Sequence, residues 1–351
     1  MTGSEWFDSR PGGLNRYFTE LYEALRRHGN TDVEAIAFGS PVRSGRTWGA
    51  TGQSLPKRVV SSRVDVREFD IVDRHFGLYG SARWNAQRRP RAASVVHFHG
   101  PWAEESAASG GVALANGLKR AVENQRYRSA DALVVLSEAF KTLLVDTYGV
   151  DKSKVQVIPP GVRPRLAARA QPASDELVVL CVRRLERRMG IDTLLDAWGI
   201  VSASLPNAEL RIVGAGSEDE NLRQQAGAVS GAVRFLGKVT DEVLADEYQR
   251  STITVVPSRE LEGFGLIALE SLAQGKAPIV TDCGGLPDSV RGLDPSLIVG
   301  RESPVAMAER IIGALKGHRP TPHACISHAA TFSWERAALA HLSLYEGLLD
   351  R

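Results

Sequence analysis

The chain reads as an α/β protein built from two successive parallel-sheet units, and three observations predict it. Short, apolar, β-branched runs alternate with stretches of helical spacing along most of the sequence. The rhythm occurs twice, on either side of the breaker run Pro159-Pro160-Gly161-Val162-Arg163-Pro164. A length of 351 residues, 43% hydrophobic and 24% charged, suffices for two cores of ordinary domain size.

Taken in order, the strand-like runs of the first half are 33–38, 94–98, 132–136 and 155–158. Those of the second half are 177–182, 209–213, 233–236, 252–256, 278–280 and 296–299. Such runs suit strands covered on both faces by crossover helices. Residues 165–174, rich in Ala, Arg, Gln and Pro without a period, read as a linker. Parallel sheets bind ligands beyond the carboxyl ends of their strands, so the loops that follow these runs are where chemistry is expected.

Composition narrows the partners. No apolar run approaches the roughly 20 residues of a membrane-spanning helix, and no basic-then-apolar leader opens the chain. Cys181, Cys283 and Cys325 are far apart and odd in number, so they read as reduced thiols of a cytoplasmic protein. His318, His323 and His328 surround Cys325 in a proline-broken segment that matches no familiar zinc spacing. Net charge is +2, but residues 1–166 hold 24 Lys and Arg against 17 Asp and Glu. A basic first half suits an anionic acceptor or a peripheral membrane contact. Its densest cluster, residues 83–91, is equally explained as a solvated helix end before a proline. Nucleic acid is not expected, because no recognition motif accompanies the charge.

The most informative stretch is Glu262-Gly263-Phe264-Gly265-Leu266-Ile267-Ala268-Leu269-Glu270, after the strand-like run 252–256. It sets two carboxylates eight positions apart around a glycine-bounded turn that opens a helix. Glu262 lies in the loop, and Glu270 lies one turn into a mostly apolar helix, where a carboxylate needs a partner such as a hydroxyl pair. The helix start favours an anion. Six further segments follow strand-like runs or precede a helix. Pro11-Gly12-Gly13 lets backbone N–H groups approach a phosphate, although alone it is an ordinary turn. His97-Phe98-His99-Gly100 places two imidazoles on one strand face. Arg183-Arg184-Leu185-Glu186-Arg187-Arg188-Met189-Gly190 supplies guanidinium groups of the kind that neutralise a departing diphosphate. Gly214-Ala215-Gly216, Gly237-Lys238-Val239 and Thr281-Asp282-Cys283-Gly284-Gly285-Leu286-Pro287-Asp288 complete the set.

The phrase P-S-x3-E-G-F-G-L-x3-E and these loops together resemble the retaining nucleotide-sugar glycosyltransferases of family 4, most closely over residues 177–288. The resemblance implies the GT-B fold, two Rossmann-like domains whose parallel sheets face each other across a cleft. The expected division is 1–165 for an acceptor-side domain, 166–332 for a nucleotide-sugar domain, and 333–351 for a helix crossing back to the first. It implies transfer of a sugar from a nucleoside diphosphate sugar to an unidentified hydroxyl acceptor with retention, through an oxocarbenium-like transition state, with no cofactor and no metal. Arg184 and Arg188 would stabilise the diphosphate, Glu262 would bind sugar hydroxyls and His99 would lie near the transferred sugar. Gly12, Gly13, Gly214, Lys238, Val239, Phe264, Gly265, Leu266, Ile267 and Glu270 would contact the donor, Glu270 through the ribose diol. The same fold would also serve a nucleotide-sugar epimerase or hydrolase, or an inactive binding module.

The sequence departs from the family pattern in four places, one of them Asp288 for the glutamate of the family's G-G-L-P-E segment. Arg183 stands where the family has glycine, and Met189 where it has lysine; Arg188 is the expected replacement cation. Residues 1–10 lack the usual apolar run, so a first sheet without its opening strand and a loosely held glycine loop are expected.

Overall fold

The computed structural model describes residues 1–28, 31–63, 69–76, 78–80, 92–101, 113–163 and 176–350. The basic cluster 83–91 and the linker 165–174 lie outside the described residues. The chain forms two compact units, Met1–Gly161 with Trp334–Arg351, and Val162–Ser333.

The first unit holds β1 (Thr2–Glu5), β2 (Ile36–Phe38), β3 (Arg46–Thr47), β4 (Ile71–Arg74), β5 (Ala93–His97), β6 (Ala132–Val135) and β7 (Val155–Val157). They are ordered β3-β2-β1-β4-β5-β6-β7, and every pairing is parallel. The second unit holds β8 (Leu177–Val182), β9 (Ala208–Val213), β10 (Ala232–Gly237), β11 (Ile253–Val256), β12 (Pro278–Thr281) and β13 (Ile298–Val299). Their order is β10-β9-β8-β11-β12-β13, again all parallel. Parallel neighbours require crossover connections, which in this unit are the helices Ile191–Ser204, Asp219–Ala228, Asp241–Arg250, Leu266–Ala273 and Leu286–Val290. The strand order reverses between β8 and β11, and in the first unit between β1 and β4. That switch point is where open α/β sheets leave a crevice for ligands.

The expectation of a missing opening strand is corrected. β1 lies inside the first sheet, paired on its two sides with β2 and β4. It escapes an apolar pattern because it carries a buried carboxylate that finds partners. Glu5, 4% exposed, forms an ion pair with Arg58 at 3.0 Å and accepts a hydrogen bond from Arg10 at 3.1 Å. Burial would raise the Glu5 carboxyl, but Arg58 and Arg10 outweigh it and hold it below its ordinary value. Gly3 makes room for Phe18, whose ring would lie 2.6 Å from a Cβ there. The glycine loop is anchored as well: Asn15 Nδ2 donates to the Arg10 carbonyl at 2.9 Å, while its Oδ1 accepts from the Glu5 N–H at 3.4 Å.

The C-terminal helix Trp334–Leu349 belongs to the first unit and packs on the helix Gly13–Leu25, with Trp334 edge-on to Tyr17 at 5.4 Å. No described helix is long and apolar enough to cross a membrane.

Candidate active site

Arg183 is the first residue past β8, and Ser258 and Glu262 follow β11. Across the switch point, the Nη2 of Arg183 donates to both the Ser258 hydroxyl and the Glu262 carboxylate. Ser258 Oγ in turn donates to the same Glu262 oxygen at 3.1 Å. The side chains of Arg183 and Glu262 are only 7% and 15% exposed, so this is a largely desolvated pair. The Glu262 backbone is fixed from the other side by the Gly284-Gly285 turn. The Gly285 N–H donates to the Glu262 carbonyl at 2.9 Å, and a Cβ on Gly284 would lie 2.2 Å from that oxygen. Thr281 Oγ1 donates to the Ser258 carbonyl at 2.5 Å, tying β12 into the same corner.

The arginine-rich segment forms a short 3-10 turn, Arg187–Met189, ending at Gly190 in the left-handed region at φ 67°. Close approach requires glycine there, since a Cβ would stand 2.0 Å from the Pro257 carbonyl oxygen. Arg188 donates from Nη1 to the Leu261 carbonyl at 3.3 Å, and the Arg259 N–H donates to the Arg188 carbonyl at 2.9 Å. These bonds stitch the loop after β8 to the loop after β11. Leu261 sits at φ 53°, an unusual backbone for a residue with a side chain and one that clusters at functional sites. Arg184 is exposed, whereas Met189 is 4% exposed and part of the core.

The helix Leu266–Ala273 starts at Gly265, which is left-handed at φ 89°. Its first turn leaves backbone N–H groups without intrahelical acceptors. Leu266, Ile267 and Glu270 are half-buried, while Phe264 is buried against Phe332 at 5.4 Å. Gly214 follows β9 under the Arg183 carbonyl, 1.8 Å from where a Cβ would be, so glycine there lets the β8 and β9 loops meet. Past β10, Lys238 is exposed and Val239 packs partly against the core of Leu180, Val213 and Tyr248. A cavity of about 410 Å³ nearby is lined by Glu186, Asp192 and Glu218 together with Arg187, and three carboxylates against one guanidinium suit a diphosphate poorly.

In the first unit, Gly12 caps the helix Gly13–Leu25 with open space around its Cα, and Arg16 lies over the Phe7 ring at 4.6 Å. His97 is buried and its Nε2 donates to the Asp73 carboxylate at 3.3 Å, next to a second imidazole, His75, stacked 3.8 Å away. His99 is half-buried and edge-on to Tyr17 at 5.2 Å. Asp73 also accepts from the Tyr345 hydroxyl, and His341 stacks on His97 at 5.3 Å. Sequence reasoning missed Asp73, His75, His341 and Tyr345; only the H-x-H alternation hinted at the cluster. Burial lowers His97 and His341 to about 4 and depresses His75 and His99 too. Burial pushes the Asp73 carboxyl up, but His97 and His75 outweigh it and hold it well below the carboxylate range. Ligating atoms of His75, His97 and His99 lie within 4.8 Å of one another. Their rings are stacked within 15–24° of parallel, so lone pairs lying in the ring planes do not converge on one ion.

The chain is similar to known proteins over nearly its whole length. Residues 162–332 match the family model "Glycosyl transferases group 1", and residues 11–166 match "Glycosyltransferase Family 4". D-inositol 3-phosphate glycosyltransferases from Geodermatophilus obscurus and Mycobacterium bovis are 30% and 32% identical, each over 95% of this chain and over 84% and 78% of their own. A sucrose-phosphate synthase from Thermosynechococcus elongatus superposes with TM-score 0.75 at 24% identity, covering 99% of this chain and 98% of its own. Anabaena HepE, solved with UDP and glucose, does so with TM-score 0.72 at 17% identity, covering 97% and 98%.

Proposed function

The chain belongs to family 4 of the glycosyltransferases and has their GT-B fold, and on that premise we propose that it moves a glycosyl group from a nucleoside diphosphate sugar to an acceptor hydroxyl with retention and without a metal. One observation carries the donor assignment: Arg184, Arg188, Glu262 and the start of the helix Leu266–Ala273 all stand in the loops beside one switch point. An exposed guanidinium and a helix N-terminus suit the diphosphate. Glu270, half-buried in the first turns of this mostly apolar helix, offers a carboxylate whose two oxygens suit a ribose diol. Burial keeps the His99 imidazole neutral, which suits hydrogen bonding to a sugar rather than charge pairing.

The chemistry needs little else. The anomeric carbon–phosphate oxygen bond breaks as the acceptor oxygen bonds the same face. The acceptor proton passes to the departing phosphate oxygen, so no protein base is required. Fixed cations at the diphosphate stabilise charge that develops in the transition state.

For the acceptor we infer a hydroxyl compound that is itself anionic. The support is the basic excess of residues 1–166 and the relatives named for D-inositol 3-phosphate. The test is to incubate the protein with nucleotide sugars and phosphorylated polyols or sugars and follow the anomeric proton by NMR. Product with the donor's anomeric configuration supports the reading. Inverted product, or donor consumed equally without any acceptor, contradicts it.

A further inference from the structure

Two departures from the family pattern sit in one loop, and the structure gives them different fates. The lysine position is filled by Met189, whose side chain is buried at 4% exposure and offers no charge to a ligand. The glycine position is filled by Arg183, whose guanidinium is directed across the switch point onto Glu262 and Ser258. A glycine there would leave the ends of β8 and β11 unbridged by any side chain from that position. The guanidinium is held tightly: it is 7% exposed, and its Nε is buried without a hydrogen-bond partner. A buried, unsatisfied N–H costs free energy, as does desolvating the pair, so the arrangement is not a passive surface contact. Ser258 completes the clamp by donating to the same Glu262 oxygen at 3.1 Å.

We propose that Arg183 is a positioning residue of the donor-sugar subsite: by bridging β8 to Glu262 and Ser258 it fixes the carboxylate that receives the sugar, so that sugar transfer, and not nucleotide affinity, depends on it. The inference rests on the donor assignment above. It differs from a relocated diphosphate cation, because the arginine's charge is already engaged by Glu262. Glu262 meets the sugar; Arg183 acts through it.

The test uses the full chain and whichever of UDP, GDP, ADP or dTDP raises its melting temperature most, with the matching glucose and N-acetylglucosamine donors. In Arg183→Gln, kcat/KM for the donor is expected to fall about 30-fold or more while the nucleoside diphosphate Kd stays within about 3-fold. Arg183→Lys, which can reach one acceptor but not both, regains part of the loss. Adding Glu262→Gln to Arg183→Gln costs less than about 3-fold more, because the two residues act as one unit. Equal losses in nucleotide Kd and in kcat/KM, independent multiplicative losses, or an unchanged Arg183→Gln overturn the proposal. Should Arg183→Gln not fold, Ser258→Ala removes one arm of the clamp and is expected to show the same split on a smaller scale. A wild-type protein that binds none of the four nucleotides sinks the donor assignment itself, a result read before any variant is made.

Discussion

A single methyl group at Gly284 would sit 2.2 Å from the Glu262 carbonyl oxygen, on a backbone at φ 52°. Gly284→Ala is therefore expected to displace the Glu262 loop. It should cost about 1 kcal/mol for the left-handed backbone alone, lower the melting temperature and cut donor turnover sharply. A melting curve and an initial-rate assay check both, and an unaltered rate at a lowered melting temperature would separate the turn from the site. Met189→Lys is the complementary case. Restoring the family residue places an ammonium at a buried position, so it should destabilise the protein without improving nucleotide affinity, as melting and titration together would show. At this scale the placement of Arg184, Glu262 and Glu270 in and after the loops beside one switch point was legible in the sequence, because arginines, glycines and carboxylates follow apolar strand runs there. The partnership of Arg183 with Glu262 was not, since it joins residues 79 positions apart through a contact that no local pattern encodes.

The C-terminal helix Trp334–Leu349 is secured by polar groups as much as by packing. Tyr345 donates to Asp73, and His341 stacks on His97. Around Asp73 face His75, His97 and Tyr345, with Tyr17, His99 and His341 completing the cluster. In the folded state His97 and His341 take up protons only at about 4, against an ordinary 6.5. The unfolded chain therefore binds more protons than the native one between those values, and stability rises with pH across that window. Full stability is expected above about pH 7, with loss on the order of 3 kcal/mol per imidazole as pH falls from 6.5 toward 4. Asp73, held low, adds to the loss below its ordinary value of 3.8. Melting temperatures from pH 7.5 to 4.5 check this, and His341→Phe, which keeps the stack without the proton, should make the fall shallower. β1 and β4 were hidden from the sequence for the same reason. Both carry buried polar residues, Glu5 on one and Asp73 and Arg74 on the other, whose partners arrive from distant segments.

For the whole molecule, repetition was the readable signal. Buried parallel strands are nearly continuous apolar runs, so β8, β9 and β11 stood out, and the order β10-β9-β8-β11-β12-β13 then puts the glycine and arginine loops beside one switch point. On the proposed function, this crevice holds a nucleoside diphosphate. The measurement that tests it most directly is the shift in melting temperature with UDP, GDP, ADP and dTDP, for the wild type and for Arg184→Ala. At about 100 times its dissociation constant a ligand of the folded state adds roughly 2.7 kcal/mol, so one nucleotide should raise the wild-type melting point by several degrees and leave Arg184→Ala nearly unmoved. No shift with any of the four, or an equal shift in both proteins, would rule out a diphosphate site at Arg184.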